Sequence, residues 1–444
     1  MLKSQYQWAS SFGSKVAATN VILVANALVW YASILVVLEN NLGMVGAKSW
    51  LDQSSQVVVW SLHFALLIFS ALVGAKIARR IDRMKFLTVW MALNVISSLT
   101  IFGLGYTNFI VTAALVSFYA VSFGLGMPIC MSLFSDSIPV ENRGRTSGII
   151  MLISGIGILA FADAPLNFFD IGIALSIWRL CSLVIFLAVR PSLKVEPKKA
   201  PASFKNVLGQ RSFFAYYIPW VLFSCVNFLV PLTPTQPTHA TLLIQTIFLA
   251  IFSVVGGFLL DSVGRKRIAI TGFIMLGLAA AANGFGQPTP LSIYFSSIFE
   301  GAAWGLLLVL FILTLWSDLS GYLPSEKYYA VGVAPFFASM LIGVTFGNWI
   351  ILKLSNTPLF TFAAFFLFVA VLPLFYATET LPEVVIKGRD IKSYTEKAIK
   401  KAQEETRKGI AKSEIKKTND NDEGKKDDEG DKYEEARKLA EKYY

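Results

Sequence analysis

The sequence predicts an all-α membrane protein of twelve transmembrane helices arranged as two six-helix repeats. Composition, the count of apolar runs and a repeat at a fixed offset all point there. Hydrophobic residues make up 55% of the 444 positions and charged residues 15%, with a mean hydropathy of +0.58. Soluble domains carry about 25% charged residues. Apolar runs of about twenty residues, long enough to cross a hydrocarbon core of roughly 30 Å as helices, fall at 17–38, 56–78, 86–105, 109–134, 147–164 and 171–189. A second six fall at 212–231, 240–260, 268–286, 291–316, 328–353 and 358–378. The expected organisation is a first bundle over 1–190, a Lys- and Pro-rich cytoplasmic linker over 191–211, a second bundle over 212–383 and a charged tail over 384–444.

The connections set the orientation. Lys and Arg follow the even-numbered spans, at Arg79, Arg80, Arg83 and Lys85, at Arg143 and Arg145, at Arg190 to Lys205, at Arg265 to Arg267 and at Lys327. The odd-numbered connections hold little beyond Lys48 and Lys353. By the positive-inside rule both termini lie in the cytoplasm of a multi-pass protein of the cell membrane. The first apolar run is too long for the core of a cleavable signal peptide. The net charge of +10 is no sign of nucleic-acid binding, because the membrane portion holds 22 of the 39 basic and 14 of the 29 acidic residues. That excess belongs to topology and to anionic head groups. The tail is nearly balanced, and its block 418–431 has almost nothing to bury, so disorder is expected there. Cys130, Cys181 and Cys225 lie within spans without paired spacing and read as small apolar fillers.

The repeat is carried by two landmarks. After span eight stands Gly257-Phe-Leu-Leu-Asp261-Ser-Val-Gly264-Arg265-Lys266-Arg267, and after span two a worn copy runs from Gly74 through Arg79 and Asp82 to Arg83 and Lys85. In that copy Arg79 stands at the Asp261 position and Asp82 at the Gly264 position, each 182 residues earlier. After span four comes Ser135-Asp136, with Pro139, Glu141, Arg143, Gly144 and Arg145 beyond it; after span ten, again 182 residues on, comes Ser317-Asp318. Gly allows a tight turn, positive-inside bias holds the basic residues, and the acid can pair with them or with a neighbouring helix. These loops resemble those of the major facilitator superfamily, whose Gly-x-Leu-x-Asp-x-x-Gly-Arg-Lys signature is matched at Gly257, Leu259, Asp261, Gly264, Arg265 and Lys266. Glu379-Thr380-Leu381-Pro382-Glu383 after span twelve partly resembles the ending of sugar porters and related organic-solute carriers. The resemblance covers residues 1 to about 383 and implies two bundles that rock about a site near the midplane. Gly74, Arg83, Asp136, Arg143, Arg145, Gly257, Asp261, Gly264, Arg265 and Lys266 would form a gating latch at the cytoplasmic face.

Ionisable groups inside a bilayer are costly and mark candidate sites. The candidates in chain order are His63 in span two, Asp163 near the outer end of span five, Arg179 in span six and Glu300 in span ten. The resemblance implies that spans one, four, seven and ten line the cavity, which favours Glu300. Desolvation favours the neutral form of a carboxyl and suits it to proton exchange, while Trp304 beyond it offers an aromatic wall. The competing reading makes Glu300 a structural carboxyl paired with Arg179 or bonded to a hydroxyl. His63 reads either as a proton relay or as a buried neutral ring bonded to a backbone carbonyl. Arg179 and Asp163 lean structural. Asn20, Asn26 and Trp30 in span one and Asn227 in span seven are candidate donors and stackers for a polar solute. The same residues also serve as glue between helices.

The expected function is secondary active transport of a small organic solute by alternating access, with the proton as candidate coupling ion. The expected partners are the solute and the bilayer, and the expected state is a monomer. Span four keeps Gly124 and Gly126 but lacks the Arg that often precedes them in the superfamily, and span five lacks the Gly-Pro pair of drug antiporters. No Walker loop, zinc motif or nucleophile elbow is present, so neither an enzyme nor a cofactor or metal is expected. A transporter-like receptor signalling through the tail and a solute exporter are the alternatives.

Overall fold

The computed structural model describes residues 15–43, 50–78, 80–105, 107–162, 167–189, 203–227, 239–284, 289–321, 323–353, 356–382 and five positions between 395 and 403. Asp163, Arg79 and nearly all of the tail lie outside them. Residues Met1–Pro382 form one compact unit and Glu383–Tyr444 a second. Every regular element among the described residues is helical. Eleven stretches there are long and apolar enough to cross a membrane. The remaining expected span, 212–231, is described only as far as Asn227, in a helix of 17 residues, Arg211–Asn227.

The first half contains α1 (Lys15–Leu42), α2 (Gln53–Ile77), α3 (Arg83–Leu99), α4 (Phe109–Gly124), α5 (Met127–Ser137), α6 (Arg143–Ala162) and α7 (Phe168–Val189). Asp52, Asp82 and Asn108 cap α2, α3 and α4 with side-chain oxygens on backbone N–H groups, as helix starts require. The short α8 (Phe204–Leu208) leads to the second half: α9 (Arg211–Asn227), α10 (His239–Ser262), α11 (Arg265–Gly284), α12 (Pro290–Leu308), α13 (Leu315–Ser320), α14 (Glu326–Lys353), α15 (Asn356–Val369) and α16 (Val371–Tyr376).

Spans four and ten are both irregular. Span four breaks between α4 and α5 at Gly124 to Gly126, where the Trp90 ring occupies the space a side chain at Gly126 would need. Span ten passes from α12 into α13 through a π-turn over Val309–Thr314. The loosened winding frees the Leu313 carbonyl to accept from Tyr329 Oη at 2.5 Å, and such turns concentrate at functional sites.

In lipid no hydrophobic force drives helix onto helix, so contacts rest on close packing and internal hydrogen bonds. The halves meet along two seams, α6 against α10 and α2 against α14, which the 182-residue offset relates to each other. On the α6/α10 seam the backbones touch. A Cβ at Gly257 would stand 2.5 Å from the Gly144 carbonyl oxygen, and one at Gly148 would stand 2.5 Å from that of Ser253. Gly257→Val should therefore force the seam apart at an overpacking cost of about 1–3 kcal/mol. Gly155→Ala on the same helix, where an added Cβ meets nothing within 4 Å, should be neutral. Thermal unfolding in detergent checks the pair, and equal midpoints for the two variants would refute the seam.

Candidate functional site

At one end of the molecule the two halves are joined by charge. Arg265, in the first turn of α11, is fully buried, and its guanidinium reaches Asp318 Oδ2 at 3.0 Å and Asp261 Oδ1 at 3.2 Å. It also donates to the carbonyls of Leu260 (2.7 Å) and Val140 (2.6 Å), the latter in the first half. The other oxygen of Asp318 accepts from Arg143 Nη1 at 2.8 Å. Arg143 is held in place by the carbonyls of Ile138 (3.0 Å) and Ser135 (2.8 Å).

Asp261 spans the seam in a second way. Its two oxygens accept the backbone N–H groups of Gly144 (2.9 Å) and Arg145 (2.8 Å), in the first turn of α6. A carboxylate there satisfies orphan donors and complements the positive end of the helix dipole. The Arg145 side chain pairs with it at 3.8 Å, too long for a hydrogen bond. On the other seam Arg83 bridges Asp136 (2.9 Å) and Glu326. Among the described residues the ion pairs Arg83 to Glu326, Arg143 to Asp318 and Arg145 to Asp261 cross between the halves, and in these three the cation comes from the first half and the anion from the second. Hydroxyls add Ser135 to Ser325 at 3.0 Å and Thr314 to Ser147 at 3.1 Å. This end is shut.

The remaining loop residues brace it. Gly264 has φ +112°, a conformation that favours glycine, and its turn lets Glu379 accept from the N–H groups of Arg265 (2.8 Å) and Lys266 (3.1 Å). The Lys266 side chain bonds the Phe375 carbonyl at 2.8 Å, within its own half. Gly74 packs on the Leu125 backbone, also within its half.

The interior candidates fall into two groups. In the first bundle His63 Nδ1 lies 2.9 Å from the Val116 carbonyl, which can only accept. The ring is therefore protonated on Nδ1, and Nε2 shares a hydrogen bond with Tyr31 Oη at 3.0 Å. Both ring nitrogens are used within the bundle. Asn26 accepts from Arg179 Nη1 at 2.7 Å and donates to the Trp178 carbonyl at 2.7 Å, while Trp30 Nε1 donates to Ser98 Oγ at 2.6 Å. Asn20 donates to Ser137 Oγ at 2.5 Å. Arg179 is wholly buried between the rings of Trp30 and Trp90, 5.6 and 4.6 Å from their centres. Asn94, in the amide orientation that satisfies both its ends, accepts from Arg179 at 2.7 and 3.3 Å. Arg179 thus pairs with amides and not with Glu300.

In the second bundle Glu300 is half-buried and bonded to the side chains of Trp304 and Gln245. It faces a cavity of about 30 Å³ that Asn283 also lines. Asn227 ends α9, and its side chain lies outside the described residues.

No curated protein matches the sequence. The chain is similar in structure to the proton:xylose symporter XylE bound to 6-bromo-6-deoxy-D-glucose, with a TM-score of 0.63 and 14% identity over 84% of this chain and 97% of that one. It is likewise similar to the human organic anion transporter MFSD10 (TETRAN), with a TM-score of 0.58 and 12% identity over 81% of this chain and 99% of that one. The family model of the Major Facilitator Superfamily matches residues 2–162. That match lies within the first half of the chain, and the likeness to the two solved structures is one of fold.

The loop signature locates the charged end; that Asp318 pairs with Arg143 and Arg265, and Glu326 with Arg83, emerges from the structure. The 182-residue offset from Asp136 was the signal for Asp318, since Arg83 with Asp136 and Arg265 with Asp318 are the same pair in the two halves. Gln245 stands 182 residues after His63, so the offset also pointed to it. Tyr31 and Asn283 carry no such mark.

Asp261→Asn keeps the shape but weakens charge-assisted bonds of about 1.5–3 kcal/mol. Asp318→Asn strips the fully buried partner of two arginines, where loss of one member of a pair costs about 3–5 kcal/mol. Both should open the charged end, Asp318→Asn more. Labelling of cysteines placed on either face of the membrane measures this, and unchanged labelling in both variants would rule the latch out.

Proposed function

We propose that this chain is a secondary active transporter that moves a small organic solute across the membrane by alternating access. The observation that carries the reading is the charged end: six-helix halves joined there by ion pairs and a cross-half helix cap can separate only by breaking a discrete, reversible set of bonds. Alternating access requires such a set, because one half must rock against the other about a site near the midplane. The basic loops favour a cytoplasmic location for this end, so the conformation is the one closed to the cytoplasm. The bundles over 1–190 and 212–383 are the rocking bodies, joined by the 191–211 linker, and 384–444 is a tail outside them.

The coupling ion is the proton, with Glu300 as its carrier. It is a half-buried carboxyl within a span, held by two neutral donors, and the likeness to a proton:xylose symporter supports the same class of coupling. Sugars, organic anions and other small polar solutes are the classes to test, by counterflow in proteoliposomes. Binding without flux for every class would remove the transport reading.

Glu300→Gln separates coupling from carriage. Its neutral side chain lets a loaded carrier reorient, so exchange of solute for solute persists. Accumulation driven by a pH gradient should fall by about a hundredfold or more, the scale a positioned proton-transfer group contributes. Exchange and accumulation falling in parallel would make Glu300 structural; undiminished accumulation would take it out of the mechanism.

A further inference from the structure

We infer that the cavity beside Glu300 is a binding site for a primary ammonium group, seated where the first half carries a guanidinium of its own. Such a site stands whether or not Glu300 also carries the coupling proton.

The internal repeat fixes the correspondence between the halves. The six buried residues of α3, from Leu87 to Ser98, each have a buried counterpart 182 positions on in α11, from Ala269 to Ala280. The seven buried residues of α7, from Ile171 to Phe186, each have one 188 positions on in span twelve, from Leu359 to Leu374. By this register Asn94 corresponds to Leu276 and Arg179 to Leu367. Ser97 and Ser98 correspond to Ala279 and Ala280.

All four counterparts line the cavity. Between α3 and α7 the first half places the Arg179 guanidinium, held by the amides of Asn94 and Asn26 and by two Trp rings. Between α11 and α15 the second half presents two leucines and two alanines, and a void of about 30 Å³ remains, open on one side. The charge is inverted as well. Among the described residues Arg179 has amides and no carboxylate for partners, while Glu300, on the wall of the void, has Gln245 and Trp304 and no cation. A carboxylate within a span calls for a positive partner.

Size and donor count select the guest. About 30 Å³ takes a head of roughly two water-sized groups, which suits an ammonium nitrogen and its first carbon with an apolar stem leaving through the open side. A carboxylate offers about four lone-pair sites and an ammonium three donors. Trp304 and Gln245 take up one site each, so the free sites of Glu300 and the Asn283 amide oxygen match the ammonium donor for donor. A hard metal cation asks for about six oxygen ligands, and the rest of this wall is aliphatic or aromatic. Asn283 lies in the last turn of α11, at the opposite end of that helix from Arg265. The site therefore sits away from the charged end, where a free amine or the ethanolamine head group of a lipid supplies the same chemistry.

Thermal unfolding of the full-length chain in maltoside micelles free of aminolipid, with n-butylammonium chloride as the probe, tests the site. A saturable rise in the midpoint is expected, absent with Na⁺ or tetramethylammonium at matched ionic strength. Asn283→Ala should weaken the apparent affinity several-fold, and Glu300→Gln by about thirtyfold or more, the scale of removing one partner from a buried charge pair. Leu367→Lys supplies the ammonium from the chain itself, so it should unfold at a higher temperature than Leu367→Gln and no longer respond to the amine. Reconstitution tells the two sources apart. Butylammonium bound in phosphatidylcholine vesicles but excluded from phosphatidylethanolamine vesicles makes the lipid head group the occupant, and equal binding in both makes it a free amine. No saturable rise in the parent, an equal rise in Glu300→Gln, a response to tetramethylammonium as strong as to butylammonium, or a Leu367→Lys chain less stable than Leu367→Gln overturns the site, and leaves the proton reading of Glu300 to its own flux test. Should the Leu367 variants fail to fold, the titrations of the parent, Asn283→Ala and Glu300→Gln decide alone.

Discussion

The buried guanidinium of Arg265 is the contact on which the closed end depends. A charge with no exposed surface is tolerable only if its partners are complete, and here two carboxylates and two carbonyls surround it. Each of those partners has a second task. Asp318 also holds Arg143, Asp261 also caps α6, and the Val140 carbonyl anchors the loop that leads into that helix. The glycines at 144, 148 and 257 matter for the same reason. Without backbone contact along α6 and α10 the Asp261 carboxylate would not reach the N–H groups it caps. Packing and electrostatics at this end are one arrangement, so they must give way together.

Span ten joins the charged end to the interior carboxyl. It holds Trp304 and Glu300 in α12, a π-turn in the middle and Asp318 in α13. The π-turn is packed hard. Phe311 stacks on Trp220 at 4.6 Å, and Thr314 bonds across the interface to Ser147. A segment with irregular winding between Glu300 and Asp318 can rotate one relative to the other by changing its hydrogen-bond register, a smaller rearrangement than moving a whole helix.

The sequence was legible where chemistry is local. The apolar runs, the basic connections and the Gly-Asp-Gly-Arg-Lys loop each sit in one stretch of chain, and eleven of the runs are spanning helices among the described residues. The latch was half legible: Asp261, Arg265, Arg143 and Arg145 are marked by their motif, whereas Asp318 and Glu326 become partners only through contacts between residues far apart in the chain. Asn26 and Trp30 show a different limit. Span one is apolar on every side, so periodicity could not tell its face toward the cleft from its face toward the bundle core, where Arg179 and Ser98 take up their polar atoms. The cavity beside Glu300 was invisible for a similar reason, since a void is a property of four helices at once and two of its lining residues are alanines.

The one-way polarity of the three cross-half pairs bears on how such a chain can arise and be rearranged. A gene duplication begins with two identical halves, in which each seam is equivalent to the other and either half can pair with itself. Here three described ion pairs across the junction set arginines of the first half against carboxylates of the second, so the two halves are not interchangeable there. The duplicated units have become a lock and its key. Severed halves expressed as separate chains would be driven to find each other and not themselves, and a chimera that exchanged one half would need charges of matching sign before it needed matching shape.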